Sequence, residues 1–201
     1  MYFNKIGKRP ICDMSLMSIP FERACAYYEG WMRPVLASHN IDLSVNNHEM
    51  SLQEAVHLVF HTVHGPPYRR VFVEITDCQT LYFDNHETGG TVVPVSSMIS
   101  KYLTCDVLHI MDYEPQETSL MIELYRSSDF SVRCMSWIDD GGGLELLSSG
   151  DHLPEETAVF SEQLKKLDSS ILSTLVSSLG FSLDWNPEVM VRCRVFDEIF
   201  T

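Results

Sequence analysis

Apolar residues recur along this chain at two spacings, and the change from one to the other falls near Tyr68. Before it, Phe21, Ala24, Cys25, Tyr28, Trp31 and Met32 follow the three-to-four spacing that puts side chains on one face of a helix. Pro20 suits a first turn and Pro34 ends or kinks the run, so the spacing predicts a helix of about 13 residues. Residues 40–50 are polar and read as a loop. Ser51 then opens a second helix, with Glu54 placed to complete a reciprocal capping box. Leu52, Ala55, Val56, Val59 and Val63 form its buried stripe, and Gly65-Pro66-Pro67 stops it.

After Tyr68 the period shortens to two. Val71, Val73 and Ile75 alternate with Phe72, Glu74 and Thr76, and beyond Asp77-Cys78 the run 80–83 completes a β-hairpin. Residues 86–91, with Gly89-Gly90, read as a loop, and Val95, Met98, Ile99, Tyr102 and Leu103 as a short helix. Residues 106–111, 119–125 and 130–138 are strand candidates separated by turn chemistry, which makes them antiparallel neighbours. Asp139-Asp140-Gly141-Gly142-Gly143 is a turn before the short run 144–147. From Phe160 to Leu179 an apolar face persists for about five turns, with Gly180 as the C-terminal cap. In the last run, 189–196, Arg192 and Arg194 share a face, where carboxylates on a neighbouring strand are their cheapest partners.

Strands joined by tight turns predict an α+β fold: a mainly antiparallel sheet of about five to seven strands, helices packed on one face, and an N-terminal helical pair. The chain is read as a single domain, 1–201, whose residues 1–68 are a helical part, either a subdomain or a cover over the sheet, and whose residues 69–201 are a β-rich acidic part. Composition agrees, since 45% apolar and 21% charged residues is the balance of a globular protein. No window approaches the roughly 18 to 20 consecutive apolar residues of a membrane span.

Charge changes the picture more. Fourteen basic residues against twenty-eight acidic ones give a formal charge of -14. Residues 1–70 hold seven basic and six acidic residues, net +1, whereas residues 71–201 hold seven and twenty-two, net -15. Within residues 71–156, Lys101, Arg126 and Arg133 face sixteen carboxylates. Such a segment repels phosphate backbones and anionic lipid and steers a cationic surface toward itself, so neither nucleic acid nor membrane is an expected partner. Without a partner, the same carboxylates are a solvating coat.

The six cysteines are widely spaced, with no Cys-x-x-Cys, as for thiols in a reducing compartment. Lys5, Lys8 and Arg9 precede a partly apolar stretch ending near Ala24-Cys25-Ala26, but Asp13, serines, prolines and Glu22-Arg23 spoil it as a signal sequence. A cytoplasmic protein is expected.

Two functional readings follow. The first is an acidic binding protein, an inhibitor or immunity-type protein that covers a basic site on a partner enzyme or toxin. Its candidate contacts are Glu74, Asp77, Asp84, Glu87, Asp112, Glu114, Glu117, Asp139 and Asp140, which lie at turn and loop positions where binding residues concentrate. The second is a metal-dependent hydrolase. Glu54, His57, His61 and His64 fall within an arc of about 80° on the second helix, and imidazoles one turn apart can converge on Zn or another divalent transition metal, with His48 as a further ligand. Leu58 occupies the slot where a His-Glu-x-x-His protease carries its glutamate. Glu74, Asp77 and Asp84 could gather around Mg²⁺, but no nearby lysine completes a nuclease-type site. The glycine run 141–143 lacks the Lys-Ser/Thr of a phosphate loop, and no Gly-x-Ser-x-Gly singles out a nucleophile. Met14, Met17, Tyr28 and Trp31 are read as packing residues. Without a catalytic signature, the binding reading leads.

Overall fold

In the computed structural model, which describes residues 13–60, 68–84, 92–113, 119–139, 144–154, 156 and 169–200, the central apolar runs form strands buried on both sides. Val71, Phe72 and Val73 in succession, with Leu81, Tyr82 and Phe83 on the neighbouring strand, are all fully buried. A strand can hide both faces only where something packs on each.

The described elements run β1 (Asp13–Met17), α1 (Phe21–Ala37), β2 (Ile41–Ser51), α2 (Leu52–Phe60), β3 (Arg69–Thr76), β4 (Gln79–Asp84), α3 (Val92–Leu103), β5 (Val107–Tyr113), β6 (Ser119–Tyr125), β7 (Val132–Asp139), β8 (Leu144–Ser149), α4 (Ser169–Ser178) and β9 (Met190–Phe200). The strands form one sheet in the order β2-β9-β3-β4-β1-β5-β6-β7-β8. Every neighbouring pair is antiparallel. On one face, Leu52, Ala55 and Val56 of α2 and Leu172, Leu175 and Val176 of α4 share a core with Val71, Leu81, Ile122 and Trp137. On the other, Ala24 and Tyr28 of α1 and Val95 and Ile99 of α3 share a core with Phe72, Tyr82, Val107 and Phe196.

The α+β class and antiparallel sheet match the expectation, but its details need correction. Among the described residues the sheet has nine strands, helices lie on both faces, and α1 and α2 sit on opposite faces with β2 between them, so they are not a helical pair. The cause is visible at residues 71–73 and 81–83, which are apolar at successive positions as a doubly covered strand requires. No described helix is long and apolar enough to cross a membrane.

Two strands depart from the sequence reading. The polar stretch 40–50 is the edge strand β2, paired with β9 along its whole length. Ile41, Leu43 and Val45 turn toward α1, and the polar positions between them and beyond suit an edge that must not recruit another chain. β1 is a central strand between β4 and β5. Only five residues long and buried on both faces, it shows no alternation to read.

Local rules hold elsewhere. The capping box forms as expected, with the Ser51 amide donating to Glu54 Oε2 at 2.8 Å and the Glu54 amide to Ser51 Oγ at 3.2 Å. α1 runs through Pro34 to Ala37. Pro34 has no amide to donate to residue 30, an exposed glycine, and the helix passes it all the same. Residues 160–168 of the long apolar run, like Val63 of the α2 stripe, lie outside the described residues. The run ends at Gly180, φ +83°, whose amide donates to Ser177 while that of Phe181 donates to Val176.

β9 is inserted between β2 and β3 and held there by charge as well as by its ladder. Arg69 grips Asp197 with Nε at 2.7 Å and Nη2 at 3.1 Å, and beside it Arg70 pairs with Glu198, both buried. Further along, the exposed Arg192 grips Glu74 across the same pair of strands. This answers the expectation for Arg192, whereas Arg194 turns to Glu22 of α1 and Asn47 of β2.

Removing one partner from a buried ion pair strands the other's charge, so Glu198→Ala should cost about 3 to 5 kcal/mol in urea unfolding. Arg192→Ala, cutting a solvent-exposed link, should leave the unfolding midpoint nearly unchanged. Gly150 has φ +85°, and a Cβ there would lie 2.2 Å from the Val132 carbonyl oxygen. At Gly180 a Cβ would meet nothing within 4 Å. Gly150→Ala should therefore destabilise by about 2 kcal/mol or more, and Gly180→Ala by about 1. Equal losses at the two sites would refute this account of Gly150.

Candidate functional site

Positive charge on the described surface is almost all engaged. Of the eight described arginines, seven are in ion pairs: Arg33 with Glu29, Arg69 with Asp197, Arg70 with Glu198, Arg126 with Asp106, Arg133 with Glu156, and Arg192 and Arg194 with Glu22, Arg192 also with Glu74. Arg23 donates to the Leu103 carbonyl oxygen. The described lysine, Lys101, is exposed and lies over the ring of Tyr102. The Arg133–Glu156 pair is the most enclosed of these contacts. Arg133 Nε and Nη2 each reach a Glu156 oxygen at 2.7 Å, and Nη1 donates to the carbonyls of Ser149 and Gly150. Burial pushes the Glu156 carboxyl up, but the bonds from Arg133 and from the Leu153 amide hold it below the ordinary glutamate range.

One cation neutralises one carboxylate at most. A chain with twice as many acidic as basic residues must therefore present its excess to solvent, and Asp42, Asp77, Glu145, Asp151, Asp184 and Glu188 are exposed.

The strand register sorts the nine candidate contacts. Arg70 lies opposite Asp84, Asp13 opposite Met111, Tyr113 opposite Ser119, Ser119 opposite Ile138 and Asp139 opposite Leu144. The ends of β4 to β8 carrying these residues thus line one end of the sheet. Asp112 and Asp139 belong to strands ending there, and the chain leaves the same strand ends toward Glu87, Glu114, Glu117 and Asp140, which lie outside the described residues. Glu74 and Asp77 are at the opposite end, beside the β3–β4 turn. Two of the nine serve the fold. Glu74 is gripped by Arg192, which holds its carboxyl below the usual range. Asp84 is buried and accepts from the Tyr82 hydroxyl at 3.0 Å. Asp77 is exposed.

The histidine helix is only partly described. His57 is half-buried on α2, His48 is exposed on β2, and His61 and His64 lie outside the described residues. The Glu54 carboxylate accepts from both the amide and the hydroxyl of Ser51 as the helix cap. Among the described residues no group of three or more His, Cys, Asp or Glu is arranged to hold a metal ion.

Sequence reasoning missed one constellation. Ser15 Oγ of β1 lies 3.0 Å from His109 Nδ1 of β5 and 2.5 Å from Ser96 Oγ of α3. All three residues are 0% exposed, so no substrate can reach the serine and the group works as internal polar packing. Burial lowers the His109 pKa to about 4, against an opposing hydrogen bond with the Met14 backbone. The buried thiols are no better as nucleophiles, since burial pushes Cys25 and Cys105 up to about 12 and Cys193 up to about 11. The only sequence signal for this group was position 109, a histidine on an otherwise apolar strand face.

Searches against family models, curated proteins and solved structures found no match to this chain.

A histidine neutral when folded but basic when unfolded makes stability depend on pH. Below its ordinary value near 6.5 the unfolded chain binds the extra proton, so stability falls as pH drops from about 6.5 to about 4, by about 3 kcal/mol, and this contribution then levels off. His109→Asn should remove that slope, and the His109 ring resonance should titrate near pH 4 in NMR. A midpoint near 6.5 would contradict the burial argument.

Proposed function

We propose that this chain is an acidic cytoplasmic binding protein, an inhibitor or immunity-type protein, that covers a basic site on a partner protein. The observation that carries the reading is the engagement of the described arginines in ion pairs and interior contacts, which leaves carboxylates to dominate the solvent-facing charge. A surface of one sign attracts the opposite one and accelerates its encounter. The described cysteines, none paired in a disulfide, suit a reducing compartment.

The test is capture of proteins from the native host at about 50 mM and about 500 mM salt, then titration of the identified protein in purified form. A partner of basic isoelectric point is expected, with affinity at least about tenfold weaker at the higher salt. Retention of no basic protein at low salt, or binding indifferent to salt, would overturn the reading.

A further inference from the structure

The two faces of β6, β7 and β8 are treated very differently. On the side of α2 and α4, Leu120, Ile122, Leu124, Met135 and Trp137 are at most 3% exposed. The other side continues, by register, from Ser15, His109 and Met17 under α3: His109 lies opposite Glu123, Glu123 opposite Cys134, and Met121 opposite Ser136, which lies opposite Leu147. There the cover stops. Among the described residues, α3 reaches as far as Tyr125, to whose carbonyl Ser100 donates, and no helix packs beyond it. Val132 is 43% and Leu147 49% exposed, Glu145 is exposed, and Met121, Glu123, Cys134, Ser136 and Ile138 are half-buried. Three strands thus present a face of aliphatic side chains interspersed with glutamates, and among the described strands β8 is the last of the sheet.

We infer that this open face of β6–β8 is the surface on which the basic partner docks, an inference that rests on the binding reading above and assigns it a place. Charge decides the occupant. Residues 106–149 hold nine acidic and two basic residues, net -7. Both of those cations are engaged, Arg126 with Asp106 and Arg133 buried on the opposite face with Glu156. On the face itself the register places Glu123 and Glu145 and, among the described residues, no lysine or arginine, so it offers apolar contact flanked by carboxylates, which fits a segment alternating cationic and aliphatic side chains. A second copy of this chain, itself carrying -14, would bring like charge against like.

Cysteines supply the test. Cys134 lies on the open face, and Cys78 is exposed at the β3–β4 turn, with β1, β5 and β6 between β4 and the strand that carries Cys134. A short fluorescent peptide of alternating lysine and valine is titrated onto the whole chain, with oligolysine as comparison, while maleimide labelling of each cysteine is followed by mass spectrometry. The alternating peptide should slow labelling of Cys134 by about fivefold or more and leave Cys78 unchanged. The double variant Glu145→Lys/Leu147→Lys should bind it at least about tenfold more weakly, and Asp184→Lys/Glu188→Lys by less than about twofold. All four positions are exposed, so unchanged unfolding midpoints are expected to accompany both variants. Salt-sensitive binding with unprotected Cys134 would overturn the location and leave the binding reading standing. No binding of either peptide at low salt would sink both. Protection of Cys134 that rises with protein concentration alone would assign the face to a second copy and overturn the inference.

Discussion

Arginine–carboxylate pairing is the constraint on which the rest of this molecule depends. The last strand in sequence, β9, enters the sheet between β2 and β3, far in the chain from both. Closing so long a loop carries an entropic cost, and register alone must then choose among similar apolar alternations. Arg69–Asp197 and the buried Arg70–Glu198 choose it, because a one-residue slip would move each guanidinium from its carboxylate to the opposite face. Arg133–Glu156 does the same for the chain after β8, tying residues 149–156 back over β7.

The same pairing decides the outside of the protein. Each arginine drawn into the sheet takes one carboxylate with it, so the excess of carboxylates over cations is left facing water. Fold and electrostatics are thereby coupled in this chain, and the field it projects is the remainder after its interior pairs have formed. Paired cations also mean that a basic ligand meets few competing positive groups of the protein's own.

What could be read in the sequence follows from the range of the interaction concerned. The capping box of Ser51 and Glu54, the β3–β4 hairpin, the antiparallel run β5 to β7 and the glycine cap at residue 180 are decided within a few residues, and each is present. The assignment of helices to faces is decided by which side of the sheet each crossing takes, and no short window contains that choice. β1 escaped because burial on both faces removes the polar alternation that marks a strand, and β2 because its polar positions outnumber its three inward-facing ones. α1 continues past Pro34 to bury Leu36, an interaction with the core that no local rule about proline contains.

The candidate surface illustrates the same limit from the side of function. An active site often leaves a local signature, since its chemistry needs particular groups at particular spacings. A docking face on a sheet needs only that successive strands turn compatible side chains to the same side. Met121, Ser136 and Leu147 are neighbours because β6, β7 and β8 are in register, although fifteen and eleven positions separate them along the chain. Each strand taken alone shows an ordinary alternation, with Ile122 and Trp137 and their neighbours explaining the buried half. Nothing in one strand tells whether its second half meets a helix or water. That depends on where α3 ends, and α3 stops at Leu103 with the chain turning back through Thr104, at φ +54°, into β5. The exposed face is therefore a consequence of helix length and strand order together, and its acidity a consequence of the carboxylate excess that pairing cannot remove.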